Sequence, residues 1–275
     1  MAIASLNFYS RALNMDTCVE VLLPEKRLEW PTPREGKTYP VLYLLHGHCQ
    51  DHTAWLKSSR IAWYLRNQEV ITVFPNGDRA SYVDGVLTHR YETYLTKELP
   101  IILKNWLPIS DRPQDTYIGG MSMGGYGALH AALTYPEQYG GVIAMAPAIS
   151  MYDIENSPEM RAKGGPPLDD EDANNNLQAI FGGKENFHNS NYDLYNCLEH
   201  FRAYEGAKPK IYMCCGQDDF LLEQCQAFSQ KATEQPGVDL TFAVSPGMHN
   251  WDFWDREIVT ALKFLGLLPE EFERQ

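Results

Sequence analysis

Apolar residues along the chain fall into short runs separated by turn-forming residues, and the spacing inside each run predicts strands alternating with helices. Thr17 to Leu23 alternates as a strand does, and Pro24 with Glu25-Lys26 closes it; Pro31, Pro33, Gly36 and Pro40 then mark a loop. Val41 to Leu45 is apolar throughout, the pattern of a strand buried on both faces, and it stops at His46-Gly47-His48-Cys49. Trp55 to Arg66 has helical spacing, Val70 to Phe74 reads as a short strand, and Pro75-Asn76-Gly77-Asp78 as a turn. An amphipathic helix over Leu95 to Trp106 leads to a strand from Thr116 to Met121, a helix from Ser122 to about Tyr135, and a strand from Val142 to Ala146. Two more strands, Lys210 to Cys215 and Asp239 to Val244, each precede a helix, Leu221 to Thr233 and Trp254 to Leu265. Alternation of this kind predicts an α/β fold with a mostly parallel central sheet and helices on both faces.

Regularity fails between Pro147 and Glu205. Gly164-Gly165-Pro166-Pro167, Asp169-Asp170-Glu171-Asp172 and Asn174-Asn175-Asn176 are loop chemistry, with short helices expected over Leu177 to Phe181 and Tyr192 to Phe201. Residues 148–205 are therefore taken as an insertion that caps the catalytic edge of a single domain, 1–275; the bland alternative is a solvated excursion.

Composition narrows the function classes. Lys and Arg number 23 against 36 Asp and Glu, a net charge of −13 with no basic cluster, so nucleic acid is not expected as a partner. No apolar run is long enough to span a bilayer, and the first residues lack the apolar core of a signal peptide, so a cytoplasmic protein without a membrane partner is expected. The six cysteines, Cys18, Cys49, Cys197, Cys214, Cys215 and Cys225, lack paired metal spacing and are expected as free thiols. Oligomeric state, including a homo-oligomer, is left open.

The chemistry centres on Gly120-Met121-Ser122-Met123-Gly124. G-x-S-x-G between a strand and a helix describes a sharp turn that lifts a serine above the edge of a sheet, with small residues required two positions to either side. By itself the pattern is weak, since chance supplies it in roughly one chain in ten of this size. A serine nucleophile needs a base and a group to orient it, and in the α/β-hydrolase arrangement that such an elbow resembles the partners follow in the order Ser, Asp or Glu, His. Of the histidines that follow Ser122, His130 lies about two turns along the same helix and points away, His188 and His200 fall in the insertion, and only His249 follows a strand end. Asp218 and Asp219 are the carboxylates just beyond a strand end between Ser122 and His249, and spacing does not choose between them. An oxyanion would need N–H donors, for which Met123 and the loop amide of His48 are the natural candidates.

Other patterns carry less. His46, His48, Cys49 and His52 have no carboxylate or second cluster at ligand spacing, so no metal is expected. Gly125-x-Gly127 would need its third glycine where His130 stands, so no nucleotide cofactor is expected, nor any other. Tyr82, Tyr91, Tyr126, Phe220, Trp251 and Trp254 lie near these residues in sequence; Tyr82, Tyr126 and Trp251 are taken as substrate-binding candidates, although core packing is the commoner role for such aromatics.

The chain resembles the esterase D/tributyrin esterase family along nearly its whole length. The resemblance rests on Leu44-Leu45-His46-Gly47, Trp55-Leu56, Pro75-Asn76, Gly120 to Gly127, Cys215-Gly216-x-x-Asp219-Phe220-Leu221 and Pro246-Gly247-x-His249-x-Trp251-x-x-Trp254. That family is similar to bacterial cinnamoyl and feruloyl esterases. The resemblance implies an α/β-hydrolase fold and a serine carboxylesterase that acts on short acyl or hydroxycinnamoyl esters without a cofactor. It selects Asp219 over Asp218 as the acid and supports the His48 and Met123 amides as oxyanion donors. The long insertion and His48-Cys49-Gln50 depart from the commoner pattern and bear on acyl and alcohol specificity. Transfer to an acceptor other than water, or a hydrolase fold kept only for binding, are the alternatives.

Overall fold

The structure is a computed structural model that describes residues 1–25, 35–153, 162, 171–234 and 236–274. The loop prolines Pro31 and Pro33, Gly164 to Pro167 and Asp169-Asp170 lie outside the described residues. An eight-stranded sheet runs in the order β1-β2-β4-β3-β5-β6-β7-β8. Its strands are β1 (Ala2–Ser10), β2 (Met15–Leu23), β3 (Val41–Leu45), β4 (Ile71–Pro75), β5 (Thr116–Met121), β6 (Gly141–Met145), β7 (Lys210–Gly216) and β8 (Leu240–Ser245). β1 and β2 are antiparallel, β2 pairs antiparallel with β4, and the remaining pairs are parallel.

Among the described residues the α-helices of three residues or more are α1 (Ala54–Ser58), α2 (Ile61–Tyr64), α3 (Tyr91–Thr93), α4 (Leu99–Trp106), α5 (Met123–Thr134), α6 (Glu171–Phe181), α7 (Lys184–His188), α8 (Leu194–Ala203), α9 (Leu222–Thr233) and α10 (Trp251–Phe264). A π-helical turn, Tyr94–Glu98, joins α3 to α4. Strand periodicity explains the two layers. Val41, Tyr43 and Leu45 point into a core with α5, α8 and α9, while Leu42 and Leu44 point the other way, toward α1, α2 and α10. Every residue of β3, β4 and β6 is buried, and each buried aliphatic side chain contributes about 1.5–3 kcal/mol. The sheet centre is thus fixed where the apolar runs are densest, and the loops beyond its strand ends face one edge. Among the described residues no helix is long and apolar enough to cross a membrane.

The expected helix over Trp55 to Arg66 is split into α1 and α2, because Ser59 takes extended backbone and its hydroxyl donates to the Trp55 carbonyl at 2.6 Å. β1, which the apolar pattern left unassigned, pairs with β2 along its whole length, from Ala2 opposite Leu23 to Ser10 opposite Met15.

Candidate active site

The turn after β5 has the strain that a serine elbow requires. Ser122 takes a left-handed φ of 56°, costly for a residue with a Cβ and held here by its surroundings. Its N–H donates to the Met145 carbonyl at 2.9 Å, and its own carbonyl accepts from Tyr126 N–H and Ala148 N–H. A Cβ on Gly120 would stand 2.5 Å from the Gly124 backbone, and one on Gly124 would stand 2.5 Å from the Leu45 carbonyl oxygen. Strand, helix and the end of β3 therefore meet backbone to backbone, and no side chain fits between them.

The loops after β7 and β8 are tied in the same way. Gln217 N–H donates to the Ser245 carbonyl and Asp218 N–H to the Gly247 carbonyl, and a Cβ at Gly216 would stand 2.3 Å from that Gly247 oxygen. This lacing turns Asp219 inward and leaves Asp218 exposed. Asp219 is 1% exposed; one carboxylate oxygen accepts from Leu221 N–H at 2.8 Å and the other from His249 Nδ1 at 2.8 Å. With Nδ1 protonated, His249 Nε2 presents a lone pair to Ser122 Oγ, 2.9 Å away. Phe220 and Trp254 hold the imidazole between them, their ring centroids 4.7 and 4.9 Å from it. The set can pass a proton from hydroxyl to imidazole while the buried carboxylate stabilises the resulting cation.

Of the other histidines after Ser122, His130 is buried in α5 with Nε2 donating to the Asn191 carbonyl at 2.9 Å, and His188 Nδ1 lies 2.8 Å from Asp193. The cluster His46, His48, Cys49 and His52 does not converge. His46 Nδ1 donates to the Gly47 carbonyl while Nε2 accepts from Gly77 N–H, and His52 lies against Cys18. His48 Nε2 accepts from Arg79 Nε at 3.3 Å and its Nδ1 is 3.2 Å from Cys49 Sγ. Burial, and then the Arg79 guanidinium, push the His48 imidazole below its ordinary pKa.

Residues 10–265 match the family model described as "Putative esterase". The chain belongs to the esterase family. It is 30% identical over 273 residues to an acetyl esterase of Caldicellulosiruptor saccharolyticus, across 98% of this chain and 100% of the relative. In structure the esterase is similar to FphF, a fluorophosphonate-binding serine hydrolase of Staphylococcus aureus, with a TM-score of 0.82 and 26% identity over 96% of this chain and 98% of that one. A ferulic acid esterase superposes with a TM-score of 0.72 at 25% identity, over 96% of each chain. The protein is a carboxylic ester hydrolase with the α/β-hydrolase fold.

In this esterase Ser122 and His249 line a cavity of about 270 Å³. His48 and Met123 line it too, and the Met123 N–H is the first of α5, one of the amides a helix leaves without an intrahelical partner. Its apolar wall comes from Ile149, Met151, Leu177, Phe181 and Phe187, so α6 and α7 line the same cavity as Ser122.

Two of the aromatic candidates for substrate binding are not in that wall. Tyr82 is 2% exposed beneath it, with its hydroxyl on the His46 backbone, and Trp251 packs edge-on against Trp55. One turn of α10 later, Trp254 lines the cavity instead, because it is the position that faces His249. Tyr126 does line it, its hydroxyl donating to the Tyr192 carbonyl at 2.6 Å. The sequence pattern does not point to Arg79, Phe181 or Phe187 as site residues. The two phenylalanines stand with Leu177 and Ile180 in an otherwise polar stretch and are not set apart from them by the pattern, and nothing local marks Arg79.

Proposed function

We propose that the esterase hydrolyses esters of short acyl groups through an acyl-enzyme on Ser122. The observation that carries this is His249, which bridges Asp219 and Ser122 with both ring nitrogens at hydrogen-bond distance. His249 takes the hydroxyl proton as Ser122 Oγ attacks the ester carbon, and the carbonyl oxygen, now negative, is held by the Met123 and His48 amides. The protonated imidazole then gives its proton to the departing alcohol. Water repeats the sequence on the acyl-enzyme and frees the acid.

The acyl group lies against Ile149, Met151, Leu177, Phe181 and Phe187, whose apolar surface favours a hydrocarbon chain and whose cavity, about 270 Å³, bounds its length. A relative that is an acetyl esterase supports the short end of that range. The aromatic wall and the likeness to a ferulic acid esterase favour a hydroxycinnamoyl group as the second reading. A cytoplasmic location belongs to the same proposal and is supported by six free thiols, the state a reducing compartment maintains.

A panel of p-nitrophenyl esters from acetyl to octanoyl, with methyl ferulate beside it, tests the assignment. The expected profile has its highest kcat/KM between acetyl and butyryl; a profile that peaks at methyl ferulate favours the second reading. Ser122→Ala is expected to lower turnover by about four orders of magnitude or more, and wild-type turnover in that variant contradicts the acyl-enzyme.

A further inference from the structure

Tyr82 sits beyond reach of substrate, in a conformation its surroundings must enforce. Ser81 and Tyr82 both take left-handed backbone, with φ of 53° and 60°, a region that residues with a Cβ enter only when held there. The Tyr82 ring fills a slot between two glycines. A Cβ on Gly77 would stand 2.2 Å from its Cε1, and one on Gly127, in α5, 2.7 Å from its Cδ2. At the end of that slot the hydroxyl accepts from the His46 N–H at 3.0 Å and donates to the His46 carbonyl at 3.2 Å. One phenol therefore satisfies both backbone polar groups of the residue at which the chain leaves β3 for the Gly47-His48 loop. The same His46 oxygen lies against the start of α5, 2.6 Å from where a Cβ on Gly124 would be. Burial pushes the phenol well above its ordinary pKa, so it stays neutral and keeps both hydrogen bonds across the working pH range.

We propose that Tyr82 is a positioning residue for ester hydrolysis, its hydroxyl fixing the exit of β3 against the nucleophile helix. That contact sets the spacing between the two oxyanion donors, the His48 amide on the loop and the Met123 amide on α5. Oxyanion donors act only within a few tenths of an ångström of their best position, and a shift of about 1 Å costs on the order of 100-fold in rate. A buried tyrosine that only filled space would need neither the strained backbone nor both hydrogen bonds to one residue. The inference rests on the acyl-enzyme reading above, and its test separates the two.

Tyr82→Phe in the full chain keeps the ring in its slot and removes the hydroxyl alone. The expected result with p-nitrophenyl acetate is a kcat lower by about 10- to 100-fold with KM within about twofold. A trifluoromethyl ketone inhibitor, whose hemiketal oxygen occupies the same hole, is expected to bind more weakly by the factor by which kcat/KM falls. A variant with a lowered melting temperature but wild-type kcat and inhibitor affinity overturns the proposal. Should Tyr82→Phe not be recovered folded, Gly77→Ala, which displaces the ring and keeps the hydroxyl, is read for the same parallel loss and overturns the proposal without it. Ser122→Ala is measured alongside. Turnover retained there defeats the acyl-enzyme reading itself, whereas an inactive Ser122→Ala with a fully active Tyr82→Phe defeats only the role of Tyr82.

Discussion

Asp218 and Asp219 are chemically identical neighbours, and the fold gives them opposite environments. Asp219 is sealed from solvent with three of its neighbours organised around it: Leu221 N–H, the His249 ring and the turn from Gly216. Asp218 is exposed. Replacing Asp219 by Asn keeps the shape but removes the charge that stabilises an imidazolium, and kcat is expected to fall by about three to four orders of magnitude. Asp218→Asn is expected to leave kcat within about twofold; steady-state kinetics on p-nitrophenyl acetate reads both, and equal effects contradict the assignment. Strand-end logic reached this pair from the sequence but not the choice within it. Which carboxylate turns inward is decided by the close approach of Gly216 to Gly247, a contact between residues far apart in the chain. The same limit explains Tyr82 and Trp251, which lie near the site along the chain while the loop after Pro75 and the rotation of α10 point them elsewhere.

Helix α5 begins just after Ser122, and its side chains tie it to the segment that precedes α8. Tyr126 and His130, one turn apart, stack at 5.8 Å and donate to the carbonyls of Tyr192 and Asn191. Burial pushes the His130 imidazole below its ordinary pKa, and it does the same to His46. Between those lowered values and about 6.5, the unfolded chain binds more protons than the folded protein at these sites. Their contribution to stability is therefore present above about pH 6.5 and is lost as pH falls toward the folded values. A melting temperature that declines from about pH 7.5 to 5 is expected, with a shallower decline in His130→Gln, whose amide can still donate to Asn191. An unchanged slope in that variant contradicts the linkage. Elements of this kind, with continuous or 3.6-residue apolar patterns, were legible in the sequence. β1 was not assigned, although Ala4, Leu6 and Phe8 alternate with the more exposed Ser5, Asn7 and Tyr9. At a sheet edge only one face packs, and short polar and apolar residues mix in such a strand.

At the scale of the whole molecule, a mostly parallel sheet brings Ser122, Asp219 and His249 together at its strand ends, and α6 and α7 supply an apolar wall beside them. Phe181 and Phe187 meet edge to face at 5.1 Å in the apolar lining of the cavity. Phe187→Ala is expected to cost about 3–5 kcal/mol of stability and to raise the rate on octanoyl relative to acetyl esters. An acyl-length profile unchanged from wild type, measured on folded protein, contradicts the placement of the acyl chain. Strands β2 to β8 could be read from sequence because each carries its own signature. The wall could not, since Ile149, Met151, Leu177, Phe181 and Phe187 come from three separate segments of an irregular stretch and converge only in three dimensions. Everything proposed for this esterase depends on Ser122 carrying the acyl group. The direct measurement is peptide mapping by mass spectrometry after rapid acid quench of the enzyme with p-nitrophenyl acetate. One acetyl group on the peptide that contains Ser122, absent in Ser122→Ala, is the predicted result. Continued turnover with acetyl on another side chain, or on none, contradicts the account.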